Sequence, residues 1–588
     1  MKEVSDKDDF TGRKLGEGMI KVTDYIISFL IEKGITDLFG YPGGVICHLM
    51  DSALKMKDKI SNHGTYHEQG AAFAACGYAQ STGKMGVAYA TSGPGATNLL
   101  TGIANAYFDS IPVLFITGQV DTYAAKGESG IRQRGFQETD IVSMTSCVTK
   151  YCVNVDSPEK IKYCMEKAYW FAMEGNPGPV VLDIPADVQR AEVNLETLEG
   201  YMPEDDKADE AKKALEAVEK EIEKAERPCL LIGNGAKLSG QKENVRKLAE
   251  ILRIPVVFSM PAFDILPHDH PLNFGFIGAN GQRYANFVLG KSDLVICIGS
   301  RLDLKQVGNN RAQFCEKASL IRIDIDAETL LYKVHKDEIG IRADLHKVIP
   351  ALIERTKTRK YDYANWCQIC RKIKEKLAGI DDQIYNRIIE RIGMCISEDA
   401  KITLDVGQSQ LWAVQSLRIK EKQDVYMSGG HGAMGYSLPA AIGVYYGSKK
   451  QVVCFNGDGG IQMNLQELQF IKREKLPIKI VIINNYALGM IRGFQEANFE
   501  KRYSYTTKES GYIAPDFEKL AYAYDLPYSR IVSEEEANQF SFRSDGAEVV
   551  EISLPMETTL VPNFGRNGLI QDQRPYIDRE LFDELMEL

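Results

Sequence analysis

The sequence predicts an α/β protein of three doubly wound parallel-sheet domains, and three observations carry that expectation. A chain of 588 residues is too long for one hydrophobic core, so about three domains are expected. Short apolar runs of strand length alternate with helix-like segments along most of the chain, the pattern of parallel strands joined by crossover helices. A stretch rich in Glu, Asp, Pro and Lys interrupts the alternation between about 193 and 210. These breaks divide the chain into a leader 1–18, blocks at 19–195, 210–356 and 361–556, and a tail 557–588.

Bulk composition narrows the function classes. The 44% apolar and 26% charged content is that of an ordinary globular protein, and the net charge of −11 argues against a nucleic-acid surface. No apolar run approaches the ~20 residues that span a bilayer, and the polar, acid-containing start does not resemble a signal peptide, so a cytoplasmic protein is expected. Twelve scattered cysteines read as buried reduced thiols. Cys367 and Cys370 form one CxxC without the second pair that a zinc site needs.

In the first block, strand-like runs fall at 36–41, 64–67, 86–90, 113–117 and 180–184. Tyr66 to Ala74 turns from a strand end into a helix of small residues, with Glu68 at its start. A carboxylate there is favourable to the helix dipole whatever else it does. In the second block, 212–227 predicts a charge-laced, solvated helix, followed by strands at 229–232, 256–260, 293–299 and 320–326. Gly233-Asn234-Gly235 after a strand has the look of a dinucleotide turn, on its own a weak signal.

The third block holds the most informative stretch. Val452 to Phe455 is a strand, Gly457-Asp458-Gly459-Gly460 breaks it, Met463 to Glu474 is helix-like, and Ile478 to Ile483 is a second strand. A βαβ unit puts both strand ends on one sheet edge, so Asp458 and Asn485 can converge. One anionic and one neutral oxygen ligand suit an octahedral Mg²⁺ that keeps positions open for phosphate. The glycines allow close approach, and a helix start offers amide N–H groups to an anion.

Several motifs in order resemble one family. They are Phe39-Gly40-Tyr41-Pro42-Gly43-Gly44, His67-Glu68-Gln69-Gly70, Thr91 to Asn98, Gly135 to Asp140, Val148-Thr149-Lys150, and GDGG followed by Asn484-Asn485. Together they are similar to acetolactate synthase large subunits, which use thiamin diphosphate (ThDP), and the likeness covers nearly the whole chain. The three blocks would then be the pyrimidine-binding, central and diphosphate-binding domains. The resemblance implies that Glu68 contacts N1′ of the aminopyrimidine, that Phe136 and Gln137 lie near the reacting carbon, that Met434 wedges the cofactor into its bent shape, and that Lys150 is a further catalytic residue. A desolvated, apolar pocket favours the neutral form of a carboxyl, and Phe73 with its neighbouring alanines is expected to supply one around Glu68.

Other roles follow from the same likeness. Gly43, Gly407, Gln408, Gly432, Gly457, Asp458, Gly459, Gly460, Asn485, Leu488, Gly489 and Met490 would line the cofactor, and the main-chain oxygen of Ala487 would complete the Mg²⁺ shell. The family's central domain binds FAD, which would place Gly233, Gly235, Ser300, Arg301, Asp303, Asp324 and Asp344 at a flavin, whereas related enzymes keep the fold without one. Glu68 of one subunit would serve the diphosphate site of another, so a homodimer or homotetramer is implied, with room for a regulatory subunit. The reaction implied is decarboxylation of pyruvate and transfer of the two-carbon unit to a second 2-oxo acid.

Departures from the family pattern point at the acceptor. Phe494 stands where the family carries Trp, Ser409 replaces a His, and His431 replaces an apolar residue. The tail, with Asn563 to Gly568, is unlike the family's end. These changes leave open an acceptor such as a nucleotide-linked keto sugar, and a flavin-dependent pyruvate oxidase or another 2-oxo acid decarboxylase as a different outcome.

Overall fold

The computed structural model describes residues 18–203, 210–543, 545–564 and 569–588. The leader up to residue 17, part of the expected linker (204–209) and residues 565–568 of the Asn563–Gly568 stretch lie outside the described residues. The fold is α/β, with three six-stranded sheets whose neighbouring strands are all parallel.

The described residues fall into two compact units. The first holds residues up to 203 together with Gly430–Lys449 and Asn464–Leu476. Its sheet runs Ser61–Gly64, Asp37–Gly40, Gly86–Ala90, Val113–Gln119, Val180–Pro185, Tyr151–Asn154, a relative order of 2-1-3-4-6-5. The central strands Gly86–Ala90, Val113–Gln119 and Val180–Pro185 are fully buried and mostly apolar, because helices cover both faces of a sheet of this kind. Expected and observed strands differ at one functional point. Residues 64–67 were expected as a strand, but the strand ends at Gly64, and Thr65 to His67 form the turn that launches the helix Glu68–Thr82.

That helix reads EQGAAFAACGYAQST and is buried along most of its length. It crosses the equally small-residued helix Ser437–Ser448, and the backbones meet: a Cβ at Gly77 would lie 2.2 Å from the Ala440 carbonyl oxygen. Overpacking such a contact costs about 1–3 kcal/mol or more. The small side chains therefore explain why this helix sits rigidly with its N-terminus at the carboxyl edge of the sheet.

The second unit holds 210–429, Lys450–Met463 and the residues from Pro477 onward. One of its sheets runs Asn273–Phe276, Val256–Phe258, Pro228–Ile232, Leu294–Ile298, Ser319–Asp324, Ile339–Arg342, order 3-2-1-4-5-6. The other runs Asp424–Met427, Lys401–Leu404, Val452–Gly457, Ile478–Asn484, Glu548–Ser553, Tyr528–Ile531, and repeats the 2-1-3-4-6-5 order of the first unit's sheet. The helix expected at 463–474 begins only at Glu467, after a 3₁₀ turn over Ile461–Met463. The tail packs on the first of these two sheets: Gln573 donates to the carbonyl oxygens of Ala279 and Gly281, and Arg283 donates to those of Gln573 and Pro575. No helix among the described residues is long and apolar enough to cross a membrane.

Candidate active site

In a doubly wound sheet the binding crevice opens at the carboxyl ends of the strands, where the strand order reverses. In the first unit that place lies between Asp37–Gly40 and Gly86–Ala90, and the residues that follow these strands are Gly43 and the Thr91–Asn98 loop. Glu68 follows the neighbouring strand and is buried, with Asn98 Nδ2 donating to its Oε2 at 2.9 Å. Gly93, in the same loop, abuts Gln137, whose backbone adopts a φ of 64°. The structure thus gathers Glu68, the Thr91–Asn98 loop and Gln137. Phe136, beside Gln137, is 84% exposed.

The turn that presents Glu68 is held by a residue that the sequence reading passed over. Glu467 is fully buried, and its carboxylate accepts the Tyr66 N–H at 3.0 Å and also the His67 N–H. Burial pushes this carboxyl up to about 7. Its only sequence signal is a charge on the buried side of a helix whose other buried residues include Leu468, Phe470 and Ile471. Met434 and Gly432 lie in the loop that precedes Ser437–Ser448, where Asn464 Nδ2 donates to the Gly435 carbonyl oxygen and Gly430 N–H to Asp109 Oδ1. Met434 is 38% exposed, and the His431 ring stacks on Phe108 at 5.5 Å between centroids.

Lys150 does not join this group. It precedes the strand Tyr151–Asn154, and in a parallel sheet that is the edge opposite to Glu68. Its ammonium donates to the Glu174 carbonyl oxygen at 2.6 Å, and burial lowers it to about 8. Within this chain it therefore stands apart from Glu68.

In the second unit the reversal lies between Lys401–Leu404 and Val452–Gly457, so Gly407 and Gln408 face the Gly457–Gly460 turn. Ile478–Asn484 pairs with Val452–Gly457, with Gly457 opposite Ile483, which brings Asp458 and Asn485 out on neighbouring strand ends. The two asparagines have different jobs. Asn484 donates to Glu551 and accepts from Tyr486 N–H, whereas Asn485 Nδ2 reaches Gln408 Oε1 at 3.2 Å. Gly489, at the start of the helix Gly489–Asn498, leaves room for the Gln408 side chain, since a Cβ there would lie 1.8 Å from Gln408 Oε1. Leu488 and Met490 flank it, and Leu488 N–H donates to Thr506.

Asp458 is 3% exposed, and its surroundings are neutral donors: the Tyr512 hydroxyl at 3.0 Å and the backbone amides of Gly459 and Ala487. Burial pushes its carboxyl up to about 7. A desolvated carboxylate held by neutral groups lacks a cation, and a hard divalent ion is what it fits. Ser409 Oγ, buried and without a hydrogen-bond partner among the described residues, lies on the same side, 3.2 Å from where a Cβ of Gly457 would be. An unsatisfied hydroxyl beside glycine turns and helix starts suits an anionic oxygen.

The residues expected at a flavin lie at the carboxyl ends of four adjacent strands, but most already have partners in the chain. A Cβ at Gly233 would lie 2.1 Å from the Gly299 carbonyl oxygen, so the glycine turns pack on each other. Gly235 N–H also donates to Gly299. Ser300 donates to Gln306, Asp303 and Asp344 cap helices, and Asp324 accepts from Asp326 N–H. Arg301 contributes its carbonyl oxygen to buried Arg322. All seven stand along one edge of this sheet, and their contacts are those of its own turns and helix caps.

The fold and the Asp458–Asn485 turn pair define a class. Family models match the chain in order: "Thiamine pyrophosphate enzyme, N-terminal TPP binding domain" over 20–144, the central domain over 215–352, and the "C-terminal TPP binding domain" over 405–547. Among curated proteins, the acetolactate synthase large subunit of Lactococcus lactis is 37% identical over 516 residues, 86% of this chain and 87% of that protein. The isozyme 2 large subunit of Escherichia coli is 34% identical over 539 residues, 90% and 95% of the two chains. The Corynebacterium glutamicum large subunit is 38% identical over 527 residues, 87% and 82%. The chain belongs to the thiamine pyrophosphate enzymes and, within them, to the acetolactate synthase large-subunit family.

Proposed function

We propose that the chain is the catalytic subunit of a ThDP- and Mg²⁺-dependent carboligase that decarboxylates pyruvate and joins the two-carbon unit to a second 2-oxo acid. The observation that carries this reading is the buried Asp458 carboxylate, without a cation partner among the described residues, on the strand end next to Asn485. Under this reading Asp458, Asn485 and the Ala487 carbonyl oxygen hold Mg²⁺. Gly407, Gln408, Gly457, Gly459, Gly460 and the Leu488–Met490 turn receive the diphosphate. Bound ThDP supplies the electron sink for decarboxylation and the nucleophilic carbon for ligation.

What remains belongs to the protein. Glu68 would present its carboxyl to the pyrimidine ring, and Asn98 fixes its orientation. Gly43 and Gly432 let the backbone come close, Met434 sets the bend, and Gln137 with Phe136 stands beside the reacting groups. Positioning of this kind is worth several orders of magnitude in rate. The reaction is redox-neutral, so a flavin held by the central domain would have no electrons to carry. The relatives' designation as large subunits supports a regulatory partner, and the half-sites support a homodimer or a larger homo-oligomer.

Phe494 is where acceptor choice is placed. Its ring is 58% exposed and packs edge-on against Phe499. A tryptophan there would add wall area and an N–H donor. The test follows products from ¹³C-pyruvate by NMR, with a panel of second 2-oxo acids and keto sugars. Native protein is expected to form acetolactate, and Phe494→Trp to shift the kcat/KM ratio toward the shortest acceptors by roughly tenfold, the scale of one pocket contact. No acetolactate from native protein would overturn the proposed function; an unchanged ratio would remove Phe494 from the acceptor pocket.

A further inference from the structure

The group that touches the Asp458 carboxylate through a side chain comes from a loop far along the chain. Tyr512 Oη donates to Asp458 Oδ2 at 3.0 Å, and Gln462 Nε2 closes a triangle by reaching the Asp458 carbonyl oxygen at 2.9 Å and Tyr512 Oη at 3.3 Å. This is a built contact. The loop that carries Tyr512 is stapled by Ser510, whose Oγ accepts the N–H groups of Thr506 and Thr507 at 3.1 and 2.9 Å. Tyr512 N–H in turn donates to the Thr507 carbonyl oxygen at 2.9 Å. Thr506 and Thr507 are buried, and Thr506 is tied to the expected cofactor turn twice, accepting from Leu488 N–H and donating through Oγ1 to Gln495 Oε1 at 2.7 Å. The Tyr512 hydroxyl is therefore held in place from the same segment that carries Asn485 and Gly489.

A carboxylate that ligates a hard cation can rotate about its Cβ–Cγ bond, and each rotation presents different lone pairs. A donor fixed on one oxygen removes that freedom and leaves the remaining lone pairs to the metal. We propose that Tyr512 is a positioning residue of the Mg²⁺ site, its hydroxyl holding the Asp458 carboxylate in the rotation that receives the cation. The proposal rests on the reading of Asp458 as a metal ligand. It assigns the 505–512 loop a task in cofactor loading: the Tyr512 hydroxyl lowers the Mg²⁺ concentration needed to seat the diphosphate.

The test uses the full chain stripped of cofactor. Mg²⁺ is titrated into native protein and Tyr512→Phe at fixed ThDP, with ThDP binding read by calorimetry and the apo melting temperature measured alongside. The expected result is a Mg²⁺ half-saturation raised roughly tenfold to a hundredfold, the usual effect of losing an outer partner of a metal ligand. ThDP binding should recover at saturating Mg²⁺, which a misfolded variant would not permit. Ser510→Ala, which loosens the loop without removing the hydroxyl, should shift the half-saturation in the same direction by less. It also decides the matter should Tyr512→Phe fail to fold, a native value then overturning the proposal. A native Mg²⁺ requirement in a folded Tyr512→Phe likewise overturns it. Asp458→Asn separates the two readings: if it loses the Mg²⁺ response while Tyr512→Phe keeps it, only the role of Tyr512 falls. If Asp458→Asn also keeps it, the metal site itself is elsewhere.

Discussion

Asp458→Ala is expected to abolish Mg²⁺-dependent ThDP binding. The carboxylate is the one charged group in the turn pair, and the other proposed ligands, the Asn485 side chain and the Ala487 carbonyl, are neutral. A hard cation in a buried site without an anionic protein ligand keeps too little Coulomb energy to offset its dehydration. The loss should exceed the roughly tenfold to hundredfold that follows removal of an outer partner. Folding should survive, because the variant removes a desolvated carboxyl and leaves a neutral Tyr512 hydroxyl short of one acceptor, a cost of about 1–3 kcal/mol. Calorimetric titration of ThDP with and without Mg²⁺, beside a melting curve of the apo protein, separates the two effects. Tight binding that still responds to Mg²⁺ would move the cradle away from Asp458.

Glycine-rich turns after apolar runs were legible because a doubly wound sheet has few alternatives for a short strand that ends in GDGG and is followed by a helix and a second strand. The same logic brought Asn485 to a strand end, whereas Gly407 and Gln408, also within a few residues of a strand end, came from the family likeness. The contacts that hold the site were not legible. Asn98 reaches Glu68 across a loop, Glu467 binds a turn some four hundred residues earlier in the chain, and Tyr512 comes from a loop with no periodicity. Side chains of this kind carry no local pattern, since their partners are set by which loops the sheet order brings together. Lys150 is the converse. Its motif matched, while the direction of Tyr151–Asn154 puts it on the edge away from Glu68 in this chain, and strand direction relative to a site depends on sheet order, which spacing alone does not encode. Likewise the strand expected at 64–67 ended early because its last residues form the helix-launching turn that Glu467 binds through Tyr66 and His67.

The largest effect on turnover is expected at Glu68. Its carboxyl sits at the first residue of the small-residue helix, is buried, and has one oxygen held by Asn98, so the other is available to a ring nitrogen. Glutamine preserves the volume and the ability to hydrogen-bond, but it has no proton to give and take back. Glu68→Gln should therefore leave the melting temperature and ThDP affinity within a few-fold of native, while hydrogen–deuterium exchange at the cofactor's C2 and overall turnover fall by at least roughly a hundredfold, the usual range of acid–base contributions. The two readouts together discriminate between roles. A residue that only packs the pocket would change affinity and exchange in proportion, whereas a proton-handling residue changes exchange with affinity nearly fixed. Asn98→Ala provides the graded comparison: it frees the carboxyl to rotate without removing it, and should slow exchange by less than Glu68→Gln does. Native exchange rates in a folded, cofactor-loaded Glu68→Gln protein would take the proton-handling role away from this residue.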